Sequence, residues 1–254
     1  MTETLKSIRR GDRLIKTLLS CEAASVSELA ERMDMPLSTA YDYVKTFESL
    51  GYVIELPDGR YKVSTGFLEL GNRIRNQYAV YRVAEPELKA LARSSGEYVP
   101  LMIEEAGLGV ILSMNKGDKS SNITIRETYS GTKTRLSTTA PGKAILANLP
   151  ERRIRSIIDR YGLAPKTEYT ITDLDVLFDE LEQIREQGYA IDDEERFDGM
   201  RGIGAPIDND VTGAPAAISI YGPAHRLTEA KLHDELSSQL LEVANVIQVN
   251  LTYS

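Results

Sequence analysis

The chain has 254 residues, a formal net charge of −8 and a hydrophobic fraction of 42%, enough for one large or two modest folded cores. A single cysteine, Cys21, excludes an internal disulfide, and two histidines, His225 and His233, leave little for a zinc centre or a His-based triad. No run approaches ~18 apolar residues, and the charged start MTETLKSIRRGDRL does not read as a secretory signal, so a cytoplasmic protein with no membrane span is expected.

The first sixty residues read as three helices and a hairpin. Ser7 is placed to cap a helix with Ile8, Leu14, Ile15, Leu18 and Leu19 at helical spacing. Ser25-Val26-Ser27-Glu28 is a capping box opening a second helix. Pro36 suits only the start of a third, which Gly51 ends. Residues 52–56 and 60–63 then form strands about the turn Pro57-Asp58-Gly59. A connecting helix is expected over 65–78 and more helix over 80–95, restarting at Pro86. Strands follow at 97–104, 109–116 and 122–129, helices at 141–148, 151–161 and 173–187, and strands at 201–207 and 216–221. A last helix carries Leu232, Leu236, Leu240, Val243 and Ile247 on one stripe. The pattern is α+β with a mostly antiparallel sheet.

The third helix has an unusual polar face. Leu37, Ala40, Tyr43, Val44, Phe47 and Leu50 fill one side, whereas Ser38, Thr39, Tyr41, Asp42, Lys45, Thr46 and Ser49 fill the other. Side chains this short let a helix approach base edges in a major groove, where long Glu and Lys would hold it away. Ser38 and Thr39 then face phosphate beside the helix N-terminus, Lys45 phosphate or guanine, and Asp42 a cytosine amino group. Arg60 and Lys62 on the hairpin, with Arg9, Arg10 and Arg13 on the first helix, reach flanking backbone. Residues 1–64 carry 9 Lys+Arg against 10 Asp+Glu, so this reading rests on local placement and not on net charge. The alternative is a winged-helix protein-interaction or dimerisation module without a ligand. An enzyme is not expected: G-x-S-x-G, P-loop and H-x-x-x-H patterns are all missing, and so are a cofactor motif and a metal-ligand set.

Ser7-x-x-Arg10 with Leu14, Ile15 and Leu18, then SVSELAERM and LSTAYDYVKTFESLGYV, resembles the IclR family of transcriptional regulators. RLSTTAPGKAILANL (135–149), EQGYAIDDEERFDGMRGIGAPI (186–207) and AAISIYGPAHRLTE (216–229) are similar to that family's later landmarks. The resemblance implies a winged helix-turn-helix over 1–64, a linker helix over 65–78, and a GAF-like effector-binding and oligomerisation domain over 79–254. It also implies a homodimer or dimer of dimers on a palindromic operator in double-stranded DNA, repressing or activating metabolic genes in response to a small molecule. Many members carry Arg where Asp42 stands, so operator sequence does not transfer. Matching motif to motif, the effector residues are Leu136, Thr138, Thr139, Ala140, Gly142, Asp192, Met200, Gly202, Ser219 and Tyr221. A helix start near Pro141 and Gly142 suits a carboxylate or sugar acid leaning on Gly142, Lys143 and the threonine hydroxyls. The bland readings are a capped helix start for 137–139, a solvated acidic turn for 192–195, and a core position for Met200.

Overall fold

The computed structural model describes residues 5–120, 128–207 and 214–253, and the chain divides into two compact units, residues 1–74 and 75–254. In the first, α1 (Lys6–Cys21), α2 (Val26–Met33) and α3 (Leu37–Ser49) pack with a hairpin of β1 (Val53–Glu55) and β2 (Tyr61–Val63). Their core gathers Leu14, Leu18, Leu29, Met33, Val44, Val53 and Tyr61. The capping box at α2 is formed: the Glu28 N–H donates to Ser25 Oγ at 3.3 Å, and the Ser25 N–H donates to Glu28 Oε2 at 2.7 Å. Gly51 takes φ +77° just past α3, a conformation that lets the chain turn out of the helix. Close crossing of α1 over α3 needs Gly11, since a Cβ there would lie 2.8 Å from Phe47 Cζ.

Some expectations for this unit need correction. α1 begins at Lys6 with Leu5 before it and without a side-chain cap, so Ser7 lies inside the helix. Ile8 (69% exposed), Leu19, Leu37 and Leu50 stand on the surface, because only one arc of each helix meets so small a core. The helix expected as a linker, α4 (Gly66–Gln77), contains the division between the units and buries none of its residues.

Among the described residues the second unit holds a six-stranded antiparallel sheet in the order β5-β4-β3-β8-β7-β6, with helices on both faces. Its strands are β3 (Tyr98–Glu105), β4 (Leu108–Lys116), β5 (Lys133–Arg135), β6 (Ala190–Asp193), β7 (Met200–Ile207) and β8 (Ala216–Pro223). Alternation sends Leu101, Ile103, Ile203, Ala205 and Ile218 to one face, beneath α5 (Ala79–Ser95) and α9 (Ser237–Thr252). Met102, Ile111 and Ala217 go to the other, beneath α6 (Ala140–Ala147), α7 (Glu151–Tyr161) and α8 (Leu174–Gln187). The hairpin between β3 and β4 turns on Ala106 and Gly107, both at positive φ.

Here too the structure departs from expectation. α5 runs unbroken through Pro86, because Val80 and Ala84 before it and Leu88 and Leu91 after it are buried together, offsetting the forfeited hydrogen bond. β5 and β6 were not anticipated, being three and four residues long and rich in charge. A 3₁₀ turn, Asp118–Ser120, follows β4, and the strand expected at 122–129 lies almost wholly outside the described residues. The last helix opens with a π-helical turn, Lys231–Leu236, which rotates the stripe so that Ala244 is buried and Val243 half-buried. Leu240, Ala244, Ile247 and Leu251 pack within the chain against the sheet, whereas Val246 and Val249 stand exposed.

Candidate functional site: an exposed helix face and a buried pocket

On α3 the structure exposes Ser38, Tyr41, Asp42, Thr46 and Ser49 along one stripe, with Thr39 at its edge. Two of the hydroxyls are turned back into the helix. Thr46 Oγ1 donates to the Asp42 carbonyl and Ser49 Oγ to the Thr46 carbonyl, both at 2.7 Å, which leaves their oxygens as acceptors. Arg9, Arg10 and Lys62 are exposed.

Three of the basic residues assigned to phosphate have partners of their own. Lys45 Nζ lies 2.7 Å from Glu48 Oε2, 3.5 Å from Glu55 Oε2 and 3.4 Å from the Tyr61 hydroxyl, bracing α3 against the hairpin. The bond to Glu48, then that to Tyr61, lifts its pKa above the ordinary lysine range. Arg13 Nη2 donates to the Arg32 carbonyl at 3.0 Å and ties α1 to α2. Arg60 pairs with Asp58 in the turn at 2.8 Å. A sequence shows where these cations sit along an element, but not which carboxylate the fold brings alongside.

In the second unit a pocket opens between the sheet and the start of α6, with about 390 Å³ of empty space that includes open solvent. α6 can approach because β7 has no side chain at Gly204, where a Cβ would lie 2.6 Å from the Ala140 carbonyl carbon and Pro141 nitrogen. Apolar walls come from Pro100, Met102, Ile111, Met114, Pro141 and Phe197. Polar atoms come from Thr128, Thr139, Asp192, Arg196, Ser219 and Tyr221. Of the ten residues matched by motif, Thr139, Ala140, Asp192, Gly202, Ser219 and Tyr221 line this pocket.

The other four do not. Leu136 is core beneath α6, Thr138 faces a neighbouring pocket, and Met200 lies outside the lining at the start of β7. Gly142 is jammed against Leu136, whose carbonyl would be 2.1 Å from a Cβ. An anion leaning on the first turn of α6 also loses its donors. Thr139 Oγ1 accepts from the Gly142 N–H at 3.1 Å, the Thr139 carbonyl accepts from the Lys143 N–H at 2.8 Å, and Thr138 Oγ1 donates to the Arg135 carbonyl at 3.3 Å.

Lys143, read from the sequence as a group for an anion to lean on, is 1% exposed. Its ammonium meets Glu195 Oε1 at 2.5 Å and Glu180 Oε1 at 2.9 Å. Burial by itself disfavours that charge, yet the two carboxylates outweigh it and its pKa rises. The acidic run 192–195 divides as a strand end does: Asp192 and Glu195 are buried, while Asp193 pairs outside with Arg201. Burial, reinforced by Glu195, pushes Asp192 up to about 7, against Lys143 and the Glu195 and Arg196 N–H groups. Glu195 is likewise raised, chiefly by burial.

Beside Asp192 three hydroxyls are unsatisfied. Thr128 Oγ1, Ser219 Oγ and the Tyr221 hydroxyl are buried atoms with no hydrogen-bond partner among the described residues. Burial raises the Tyr221 pKa beyond the ordinary tyrosine range, so this hydroxyl stays protonated. Orphans of this kind call for water or a ligand.

A model of the bacterial transcriptional regulator IclR C-terminal region matches residues 74–249, and one of the IclR helix-turn-helix domain matches residues 7–57. The chain belongs to the IclR family. The probable HTH-type transcriptional regulator ArcR of Halobacterium salinarum is 30% identical over 247 residues, 97% of this chain and 94% of that one. Thermotoga maritima IclR superposes with a TM-score of 0.83 at 34% identity, covering 98% of each chain. An IclR homologue of Microbacterium hydrocarbonoxydans, solved in complex with 4-hydroxybenzoate, shares the fold at 20% identity with a TM-score of 0.79, covering 97% of this chain and 99% of its own.

As an IclR-family member the protein is a transcriptional regulator, not an enzyme, with an N-terminal helix-turn-helix that binds DNA and a C-terminal effector-binding domain. Among the described residues no helix is long and apolar enough to cross a membrane. Sequence reasoning missed Pro100, Met102, Ile111, Met114, Thr128, Pro141, Arg196 and Phe197 as pocket lining. Met102 carried one usable signal. It shares strand parity with Pro100, so once β3 is placed under α6 both point to the same side.

Proposed function

We propose that this regulator reads a palindromic operator as a homodimer or dimer of dimers in the cytoplasm, with residues 1–64 reading DNA, 65–78 as linker and 79–254 sensing the effector. Ser38, Thr39, Tyr41, Asp42 and Thr46 enter the major groove, with Arg9, Arg10 and Lys62 on flanking phosphate. The exposed, short-chained stripe of α3 supports this. Lys45, Arg13 and Arg60 act mainly by holding the domain together, in view of their internal partners. Exposed Ile8, Leu19, Leu68 and Ile74 on α1 and α4 favour a second copy as their cover.

The effector is a small organic acid with an apolar or aromatic body and a hydroxyl, bound by Thr139, Asp192, Ser219, Tyr221 and Arg196 over Gly202. The observation that carries this is the set of orphaned hydroxyls around buried Asp192 within apolar walls. Those walls suit an aromatic or branched acid better than a sugar acid, and the 4-hydroxybenzoate complex of the Microbacterium homologue belongs to that class. Binding shifts the population between DNA-competent and incompetent states.

Two measurements test the reading. Sheared genomic DNA retained by the protein is sequenced, and enrichment of a few palindromic sites is expected. No enrichment at either low or high salt favours the protein-interaction alternative. Thermal stability is then followed against a panel of hydroxylated carboxylic acids, where a ligand at a hundredfold excess over Kd adds ~2.7 kcal/mol. Absence of any shift refutes the effector class.

A further inference from the structure

A second pocket adjoins the first and differs from it in chemistry. It is lined by Lys133, Arg135, Lys166 and Arg196, by Thr132, Thr134 and Thr138, and by Leu108 and Phe197, around about 770 Å³ of space open to solvent. Its described lining holds four cations and no carboxylate, in a chain whose net charge is −8. Two other surface hollows are mixed. The one on α7 interleaves Arg152, Arg155 and Arg160 with Glu151 and Asp159, and the one over Lys143 carries Glu180, Asp193, Glu195 and Glu229.

The cations arrive from three separate parts of the chain: β5, the segment after α7, and the turn between β6 and β7. This is a convergence, not a charged run along one helix. Among the described residues the Lys166 ammonium makes no ion pair, and Arg135 donates at 3.5 Å to the Ala164 carbonyl, too long to satisfy a guanidinium. Lys133 reaches Glu105 at 3.1 Å through side chains about half exposed, a pair that a better anion can replace. Thr138, buried to 98%, lines this hollow and not the effector pocket, its hydroxyl donating to the Arg135 carbonyl at 3.3 Å.

We propose that this basic hollow is a second ligand site of the effector domain, selective for a compact polyanion, either a phosphate or a di- or tricarboxylate. Arg135 and Lys166 are its principal charge partners, and bidentate pairing at Arg135 sets geometry as well as charge. Concave walls of low dielectric focus the field of four cations on a small anion. Arg196 and Phe197 line both pockets, so a polyanion bound here sits one side chain from the effector.

The test titrates the full-length protein with pyrophosphate, citrate and acetate by calorimetry, with ionic strength held constant by sodium chloride. Saturable binding of pyrophosphate or citrate, with acetate much weaker, is expected, and the tighter of the two names the source. Arg135→Gln with Lys166→Gln should weaken it at least ~10-fold, with the thermal midpoint in the absence of anion unchanged. Ser219→Leu, which fills the effector pocket, should leave it intact. Three results overturn the proposal: no saturation at fixed ionic strength, equal affinity in the double variant, or loss in Ser219→Leu with retention in the double variant. The last would put the anion in the effector pocket.

Discussion

The two units treat polar groups in opposite ways. Among the described residues of the first, every buried side chain of the core is apolar or tyrosine, and the polar groups assigned to DNA are on the surface, several already bonded locally. The second buries Lys143, Asp192, Glu195 and Ser219 to 95% or more, with orphaned hydroxyls beside them. A groove reader meets a hydrated polyanion and needs accessible groups of the right length. A small-molecule sensor instead removes its ligand from water, so its recognition groups are desolvated in advance and depend on one another. Substitutions should therefore separate function from stability on the exposed stripe of α3 and entangle them in the buried pocket of the second unit.

The largest effect is expected at Lys143. Lys143→Met leaves Glu195 buried without its partner and should cost about 3–5 kcal/mol in urea unfolding, partly rescued by Glu195→Gln. Rescue of the whole loss would show that the cluster is dispensable, and no rescue that the pair is not coupled. Asp192 should appear in the pH profile. Its folded pKa of about 7 exceeds the unfolded value of 3.8, so the native state holds the extra proton between them. Stability should then fall as pH rises from about 4 to 7 and level off above, by a few kcal/mol at most. Asp192→Asn keeps an acceptor for the Glu195 N–H and should flatten that slope in midpoint measurements from pH 4.5 to 8.

Tyr221→Phe removes an orphaned hydroxyl. Relieving that group should stabilise the ligand-free protein by up to about 1–3 kcal/mol, while ligand-induced stabilisation shrinks. A loss of stability would mean that the hydroxyl is satisfied by bound water. For the first unit, Ser38→Glu adds an anion at the start of α3, where the helix tolerates it, yet faces phosphate. DNA retention should fall at least ~10-fold, about 1.4 kcal/mol, with the thermal midpoint held. Lys45→Ala should show the reverse ranking, a loss of stability with a smaller effect on DNA, given its partners Glu48 and Glu55. Smallest of all, Ser25→Ala breaks the capping box at about 0.5–2 kcal/mol of chemical-denaturation stability without touching DNA affinity at saturation.

Much of this molecule was determined by the sequence alone, wherever the deciding interaction is short-range. The capping box at Ser25 and Glu28, the helix start at Pro36, the turn at Gly59 and the apolar arcs of α7 and α8 each depend on residues within a turn or two, and the antiparallel α+β pattern follows from their succession. Six pocket residues were also legible, since their motifs travel with the family. Tertiary structure decided the rest. Lys143 is internal because Glu180 and Glu195 come from 37 and 52 residues away. Asp192 is buried because its strand pairs with β7 at the sheet edge, placing it on the covered side. Thr138 and Thr139 face different pockets because a 3₁₀ turn gives way to a helix between them. In each case the environment of a charge or hydroxyl is set by which distant group the fold places beside it, and no spacing along the chain encodes that.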